Sequence, residues 1–305
     1  MQQIGIMGVG LLGSAVASRL LENGFRVTGY DTRPEQVEAL GPQGLRPAGS
    51  IAEASAGADA VFAILPSLES VETVVGGSGG LLETAPRGAT LIQMSTISPD
   101  LTRRLGEAAA AKGLGFLDAP VSGTSTMVAR GDCMILVGGD PARAEACRPL
   151  FEAIARRTVY VGAWGMASLA KLVLNLLVGL HTAALAEAFV LGTKGGLSPG
   201  LLLEIIRESA ATSKMAEIRG PLMVTGSFEP QMKLDLFLKD FKLMVEEGRR
   251  LGVALPLTSL AQQLATATAA AGRGDEDLAS IVTTMELLAG MRDARQGGES
   301  NGQAD

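Results

Sequence analysis

One stretch near the start constrains this chain more than any other. In IGIMGVGLLGSAVASRL, residues 4–20, an apolar β-rich run ends at Gly8, and Gly10 and Gly13 follow as a helical pattern opens. Such spacing between a strand and a helix is what a dinucleotide site demands. Gly8 permits the tight turn, Gly10 lets a pyrophosphate approach the backbone, and Gly13 lets the helix pack closely on the strand. The phosphates would rest on the helix start, at the amides of Gly10, Leu11, Leu12 and Gly13, where free N–H groups and the dipole favour anions. In a chain with 39 glycines the spacing alone would also suit a ligand-free structural turn. Context argues for the dinucleotide, because the next apolar run ends GYDTR and places Asp31 where a ribose-binding acid is expected. Asp31 would accept hydrogen bonds from the ribose hydroxyls and repel a 2′-phosphate, which favours NAD. Arg33, two residues on, can pair with that phosphate or simply be solvated, so NADP remains the alternative.

The glycine loop opens a longer alternation. Strand-like runs at 3–8, 25–30, 60–65, 90–95, 114–119, 133–138 and 158–162 are separated by helical patterns at 11–23, 33–40, 98–112 and 141–155. That order predicts a Rossmann-type α/β domain with a mainly parallel sheet over residues 1–163. Beyond 163 strand signals cease. Helical periodicity continues at 165–195, 200–210, 236–252, 257–272 and 276–291, predicting a long connecting helix and an all-α C-terminal domain over 164–292. The polar, glycine-rich end, 293–305, is expected to be a flexible tail.

Composition narrows the function classes. Apolar residues at 47% and charged residues at 19% suit a globular chain, and a net charge of −6 without a basic block argues against nucleic acid or an anionic membrane surface. Cys133 and Cys147 lack metal or disulfide spacing and read as cytosolic thiols. The start MQQIGIMGVG has no basic n-region, so no signal peptide is expected and the chain is placed in the cytoplasm. The longest apolar stretch, 169–192, contains Lys171, Asn175, His181 and Glu187, which would be expensive in lipid. It is read as a buried helix of a soluble protein.

That stretch includes AKLVLNLLVGLH, residues 170–181, where Lys171 and Asn175 fall one helical turn apart on the same face. Four further segments accompany it: MSTISPD (94–100), DAPVSGTSTMVARGDCMILVGG (118–139), GMASLAKLVLN (165–175) and KDFKLMVEEGRRLGVALPL (239–257). In this order, with the glycine loop, they make the chain resemble the β-hydroxyacid dehydrogenase family over most of its length. The resemblance implies a Rossmann domain, a connecting helix and a helical domain that closes the substrate site and builds homodimers or homotetramers. It implies hydride transfer between NAD(P) and a small carboxylic acid substrate, such as 3-hydroxyisobutyrate, tartronate semialdehyde, glyoxylate or succinate semialdehyde.

Site residues carry over position by position. Leu65 and Pro66 match the strand-end pair against the cofactor, and Thr96 of the Ser95-Thr96-Ile97 loop falls near the nicotinamide ribose. Asp118 to Gly123 match the substrate loop, where Ser122 and Gly123 would hold a carboxylate. Lys171 matches the catalytic lysine and Asn175 its partner amide. Lys239 and Asp240 match the pair opening a later helix, with Lys239 expected near the nicotinamide. Three positions depart from the family pattern: Thr124 stands for the second glycine of the substrate loop, Leu174 for an asparagine and Ala167 for a glycine. The first bears on the substrate's acid group. GTS at 123–125 is similar to the loop of sulfolactaldehyde reductases, which keeps a sulfonated aldehyde open as a substrate.

A lysine suits this chemistry. Oxidation must release the hydroxyl proton as hydride leaves carbon, and reduction must return it, which a lysine can do if burial and neighbouring cations lower its pKa. The lysine polarises the carbonyl, so no metal is required, and no His, Cys and carboxylate cluster has ligand spacing. Blander readings stand beside these. Lys171 could snorkel at a surface, Ser122 could only form a turn, and Asp240 could cap a helix or pair with a neighbour. His181 reads as a packed residue, while Lys214 and Arg219 are either solvated or contribute charge to an acid pocket. Two other functions compete: an imine reductase, which usually carries aspartate or tyrosine in place of the lysine, and a dinucleotide-binding module without turnover, which should have lost it.

Overall fold

The computed structural model describes residues 1–291, and the polar stretch 293–305 lies outside them. The chain forms two compact units, Met1–Leu174 and the residues from Asn175 onward. Strand signals end at Gly162, as the sequence pattern has it, and the division between units falls within the helix that follows.

The first unit is a nine-stranded sheet flanked by helices. Its strands are β1 (Gln3–Met7), β2 (Arg26–Tyr30), β3 (Arg46–Pro47), β4 (Ala60–Ala63), β5 (Thr90–Gln93), β6 (Gly115–Asp118), β7 (Val121–Ser122), β8 (Met134–Gly139) and β9 (Arg157–Gly162). Its helices are α1 (Leu11–Glu22), α2 (Pro34–Glu38), α3 (Ile51–Ser55), α4 (Leu68–Val71), α5 (Leu81–Thr84), α6 (Pro99–Ala111), α7 (Ser125–Ala129), α8 (Pro141–Ala146) and α9 (Arg148–Ile154). Strand order is β3-β2-β1-β4-β5-β6-β8-β7, with β9 paired to β8. Pairings from β3 to β6 are parallel, β8 runs antiparallel to β6 and β7, and β9 is parallel to β8.

Helices cover both faces of this sheet, so its central strands are apolar on both sides. Ile4, Ile6, Phe62 and Ile92 pack with Val16, Leu20 and Phe151 on one face. Met7, Val61, Leu91 and Phe116 pack with Val75, Leu101 and Leu105 on the other. Register follows from this burial: Ile4 lies beside Val27 and Ala60, and Ile92 beside Phe62 and Leu117. A one-residue slip would exchange the two faces. The helical pattern at 141–155 is two helices, because Pro149 starts a new one after the turn at Cys147.

The long helix α10 (Met166–Lys194) belongs to both units. By length and composition alone it could cross a membrane, and 39% of its most apolar window is buried inside the protein. The second unit continues with α11 (Pro199–Glu208), α12 (Lys214–Thr225), α13 (Leu234–Leu251), α14 (Pro256–Thr268) and α15 (Ile281–Leu288). Helix starts are capped by Ser198, which accepts the Leu201 amide, and Ser213, which accepts the Ala216 amide. The buried carboxylate of Asp277 gathers this unit, accepting from Arg219 Nε at 2.9 Å and from the amides of Gln231, Met232 and Ala279 at 3.0 Å.

Candidate active site

The glycine loop after β1 has the geometry its spacing demands. Gly8 has φ +88°, and a Cβ placed there would lie 2.2 Å from the Ile64 carbonyl oxygen. A Cβ on Gly13 would lie 2.0 Å from the Gly8 carbonyl oxygen, so α1 can approach β1 only with glycine at that position. Gly10 differs. Its backbone is ordinary (φ −72°, ψ −163°), and a Cβ there would meet only the tip of Arg33, at 3.9 Å. Nothing in the protein requires glycine at 10, while a pyrophosphate approaching the backbone would. Gly10 is the N-cap of α1 and supplies no side-chain cap, so the first-turn amides, those of Leu11 and Leu12 included, are left for an external acceptor. These residues fit a dinucleotide.

Asp31, just beyond β2, closes the loop from the side. Its Oδ2 accepts the Val9 amide at 2.8 Å and its Oδ1 the Arg33 amide at 2.9 Å. The Arg33 Nε lies 3.6 Å from Oδ1, with the arginine 60% exposed and the aspartate 9%. The carboxylate is thereby fixed, and about two of its four lone-pair sites stay available to hydroxyl donors. Beyond β4, Leu65 and Pro66 are held by Ser95, whose Oγ accepts the Leu65 amide at 2.8 Å. Gln93 in turn clasps Ser95, donating to its carbonyl and accepting its amide. This clasp sets the backbone of half-buried Thr96.

The segment that resembles the family's substrate loop leaves the sheet at Asp118. Ser122 sits in β7, held by pairing with Met134 of β8. Gly123 has φ +149°, and a Cβ there would come within 3.0 Å of the Cys133 Cβ, so glycine is needed. Thr124 has φ −83°, and its Oγ1 accepts the Met127 amide at 3.3 Å as the N-cap of α7. The Thr124 backbone is ordinary, which explains why a second glycine is dispensable.

Lys171 lies in the second turn of α10 and is buried, with 9% of its surface exposed. Buried Asn175 follows one turn later, donating its Nδ2 to Asp240 Oδ2 at 2.7 Å. Because a carboxylate only accepts, this bond fixes the orientation of the amide and points its Oδ1 away from Asp240. The other Asp240 oxygen lies 3.3 Å from Lys239 Nζ, an ion pair without the alignment of a hydrogen bond. Asp240 therefore pairs with two neighbours, as one of its sequence readings had it.

The remaining candidates separate cleanly. His181 is exposed, contrary to the expected packing, because its position on α10 faces outward beside buried Thr182. Lys214 pairs with Glu217 on the surface, and Arg219 is committed to Asp277. Cys133 and Cys147 are buried, and burial pushes each thiol up to about 11, which leaves them unreactive as nucleophiles. Among the described residues no group of three or more His, Cys, Asp or Glu is placed to hold a metal ion. Sequence reasoning missed the supports: the Gln93–Ser95 clasp, and the bonds of Asp118 to Ser168. Ser95, Asp118 and Ser168 lie within the quoted motifs and Gln93 just before one, but neither pairing leaves a mark in spacing.

Comparison with known proteins gives concordant matches. Residues 3–162 match the NAD binding domain of 6-phosphogluconate dehydrogenase, and residues 165–285 match the NAD-binding region of NADP-dependent 3-hydroxyisobutyrate dehydrogenase. The chain is 35% identical over 290 residues to 2-(hydroxymethyl)glutarate dehydrogenase of Eubacterium barkeri, covering 95% of this chain and 96% of that one. It is 33% identical over 282 residues to L-threonate dehydrogenase of Cupriavidus necator, covering 92% and 95%. The crystal structure of 3-hydroxyisobutyrate dehydrogenase from Salmonella typhimurium superposes with a TM-score of 0.86 at 29% identity, covering 93% of this chain and 99% of that one.

Proposed function

Because the chain belongs to the β-hydroxyacid dehydrogenase family and is an NAD(P)-dependent oxidoreductase of CH–OH groups, we propose that Lys171 is its general acid and base. The substrate is a small hydroxy acid or its semialdehyde or keto-acid partner, in the class of 3-hydroxyisobutyrate, tartronate semialdehyde, glyoxylate or succinate semialdehyde. The observation that carries this reading is a buried lysine one helical turn from an amide that is itself locked by a carboxylate.

The nicotinamide, when bound, supplies or accepts the hydride. The chain's own residues handle the rest. In reduction the Lys171 ammonium gives its proton to the carbonyl oxygen, and in oxidation the neutral amine takes it from the hydroxyl. Asn175, with Nδ2 spent on Asp240, offers Oδ1 as an acceptor to the lysine or to the substrate hydroxyl. Ser122, the Gly123 amide and Thr124 hold the acid group. The amides of Leu11 and Leu12, with Asp31, Leu65, Pro66, Thr96 and Lys239, hold the cofactor. We assign NAD in preference to NADP, since Asp31 sits where a 2′-phosphate would meet a carboxylate.

We also place the protein in the cytoplasm as a homodimer or homotetramer. Exposed apolar side chains of the second unit, Leu201, Ile205, Leu257 and Leu260 among them, are what such an association would cover.

Lys171→Ala tests the mechanism. Rates are measured with glyoxylate, succinate semialdehyde, tartronate semialdehyde, 3-hydroxyisobutyrate and sulfolactaldehyde, using NAD(H) and NADP(H). Turnover on the best substrate should fall about 10²- to 10⁴-fold, with the NADH Kd unchanged within about threefold. A variant with wild-type kcat refutes the lysine's role.

A further inference from the structure

We propose that Asp118 is a positioning residue that holds Lys171 in register with the substrate loop. Asp118 ends β6 and is fully buried. Its Oδ2 accepts the amides of Gly165 at 3.1 Å and Ser168 at 2.8 Å, and its Oδ1 accepts the Ser168 hydroxyl at 2.8 Å. Three donors from the start of α10 thus converge on one carboxylate, which satisfies first-turn amides that the helix itself cannot. The network extends to α6. Ser168 Oγ lies 2.8 Å from Thr102 Oγ1, whose hydroxyl also reaches the Ser98 carbonyl at 3.1 Å.

Position makes this attachment more than a cap. Ser168 precedes Lys171 by three residues, so the two side chains share a helix face one turn apart. On the other side, the loop bearing Ser122, Gly123 and Thr124 leaves directly from Asp118. A single side chain therefore joins the root of the substrate loop to the turn that presents the lysine. Displacing that turn by about 1 Å costs a reaction that depends on alignment on the order of 10²-fold in rate.

The inference rests on Lys171 moving the proton, and the test separates the two. Asp118→Ala, Asp118→Asn, Lys171→Ala and the double variant Asp118→Ala/Lys171→Ala are compared as full-length proteins. Activity is read on the best substrate of the panel above, with NADH affinity from fluorescence. Asp118→Ala should lower kcat about 30-fold or more while the NADH Kd stays within about threefold. Asp118→Asn, which keeps an acceptor for the two amides, should recover to within about fivefold of wild type. In the Lys171→Ala background Asp118→Ala should change kcat by less than about twofold, since a residue acting through the lysine has nothing left to position. A folded Asp118→Ala variant with kcat within threefold of wild type, or one whose loss adds in full to that of Lys171→Ala, overturns the proposal. Lys171→Ala at the wild-type rate refutes the lysine reading instead. Should Asp118→Ala fail to fold, Ser168→Ala takes its place, with an expected three- to tenfold loss of kcat that vanishes without the lysine; no loss overturns the proposal. If no acid in the panel is turned over, hydrogen exchange of NADH-saturated protein decides. The residue 166–171 amides should exchange at least tenfold faster in Asp118→Ala and within threefold of wild type in Asp118→Asn, and equal protection in all three overturns it.

Discussion

Asp118→Asn should remove the loss of stability that the first unit undergoes between acid and neutral pH. Burial pushes the Asp118 carboxyl from 3.8 up to about 6, more than the bonds from Ser168, Gly165 and Ala167 pull it down. The groups meeting its oxygens, backbone amides and the Ser168 hydroxyl, are neutral. The charged groups on the adjoining turn of α6 pair among themselves, Asp100 with Arg103 at 3.3 Å and with Arg104 at 3.6 Å, and Arg104 also with Glu72 at 3.3 Å. A folded-state pKa above the unfolded one means the native protein keeps a proton that the unfolded chain has lost. Stability is therefore full below about pH 4, falls as pH rises toward 6, and is level above. At 1.36 kcal/mol per unit the loss approaches about 3 kcal/mol. Asparagine has no proton to lose. Its oxygen can take the Gly165 and Ser168 amides while its NH₂ donates to Ser168 Oγ, whose proton passes to Thr102 and that of Thr102 to the Ser98 carbonyl. The second N–H of that NH₂ has no acceptor among these groups, which costs about 1–3 kcal/mol at every pH and leaves the pH-dependent difference intact. Urea unfolding followed through Trp164, the sole tryptophan, reports on this unit, because its ring lies edge-on to Phe116 and its Nε1 donates to the Phe116 carbonyl at 2.9 Å. Relative to wild type, the variant should gain roughly 2–3 kcal/mol between pH 3.5 and pH 7.5. A difference that does not change with pH, or a variant weaker by more than about 1 kcal/mol at pH 7.5, refutes the reasoning. A more stable but slower enzyme would show that the carboxylate is retained for alignment, not for stability.

The glycine loop supplies a paired test: Gly13→Ala should lose roughly 3 kcal/mol or more in thermal unfolding, since its Cβ would lie 2.0 Å from a carbonyl oxygen. Gly10→Ala should stay within about 1 kcal/mol of wild type yet weaken NADH about tenfold or more, and an equal loss of stability in both would contradict the assigned roles. Asp31→Ala should weaken NAD about tenfold more than NADP in fluorescence titrations, as a lost charged hydrogen bond predicts; parallel losses would mean that Asp31 does not select the cofactor. Asp277→Ala removes the carboxylate shared by Arg219 and three amides, and should destabilise the second unit by about 3–5 kcal/mol in circular-dichroism melts. Sedimentation at micromolar concentration should show a dimer or tetramer, and a monomer would remove the basis for assigning Leu201, Ile205, Leu257 and Leu260 to an interface.

What could be read from the sequence followed the strength of the periodic signal. β1, β4, β5 and β6 are apolar on both faces because helices cover both, and such runs stand out. β3 and β7 have two residues each, and α3, α4, α5 and α7 have five or fewer, too short to show a period. α12 escaped for another reason. It carries Pro221, and its buried face of Met215, Ala216, Gly220 and Met223 is interrupted by Arg219, whose charge is met by Asp277, a long-range contact. The other motif positions could be read only through the family resemblance of their segments. Their supports could not. The Asn175–Asp240 bond spans 65 positions and the Asp118–Ser168 bond 50, so neither has any local signature.

Thr124 shows where a departure from a family pattern misleads when judged by residue size alone. A side chain in place of glycine suggests a crowded acid-binding loop. The backbone gives a different account: Gly123 takes the one conformation that requires glycine, and Thr124 sits at an ordinary φ of −83°. Its oxygen is occupied first by the Met127 amide, as the cap of α7. A capping hydroxyl accepts through a lone pair and keeps its proton to donate. Relative to glycine, then, the substitution stabilises the start of α7 and adds one hydroxyl donor to the loop proposed to hold the substrate's acid group. A carboxylate presents two oxygens to Ser122 and the Gly123 amide, whereas a sulfonate presents a third, which an additional donor can meet. On the role proposed for this loop, the number of donors it offers, more than the room it leaves, distinguishes a carboxylate from a sulfonate.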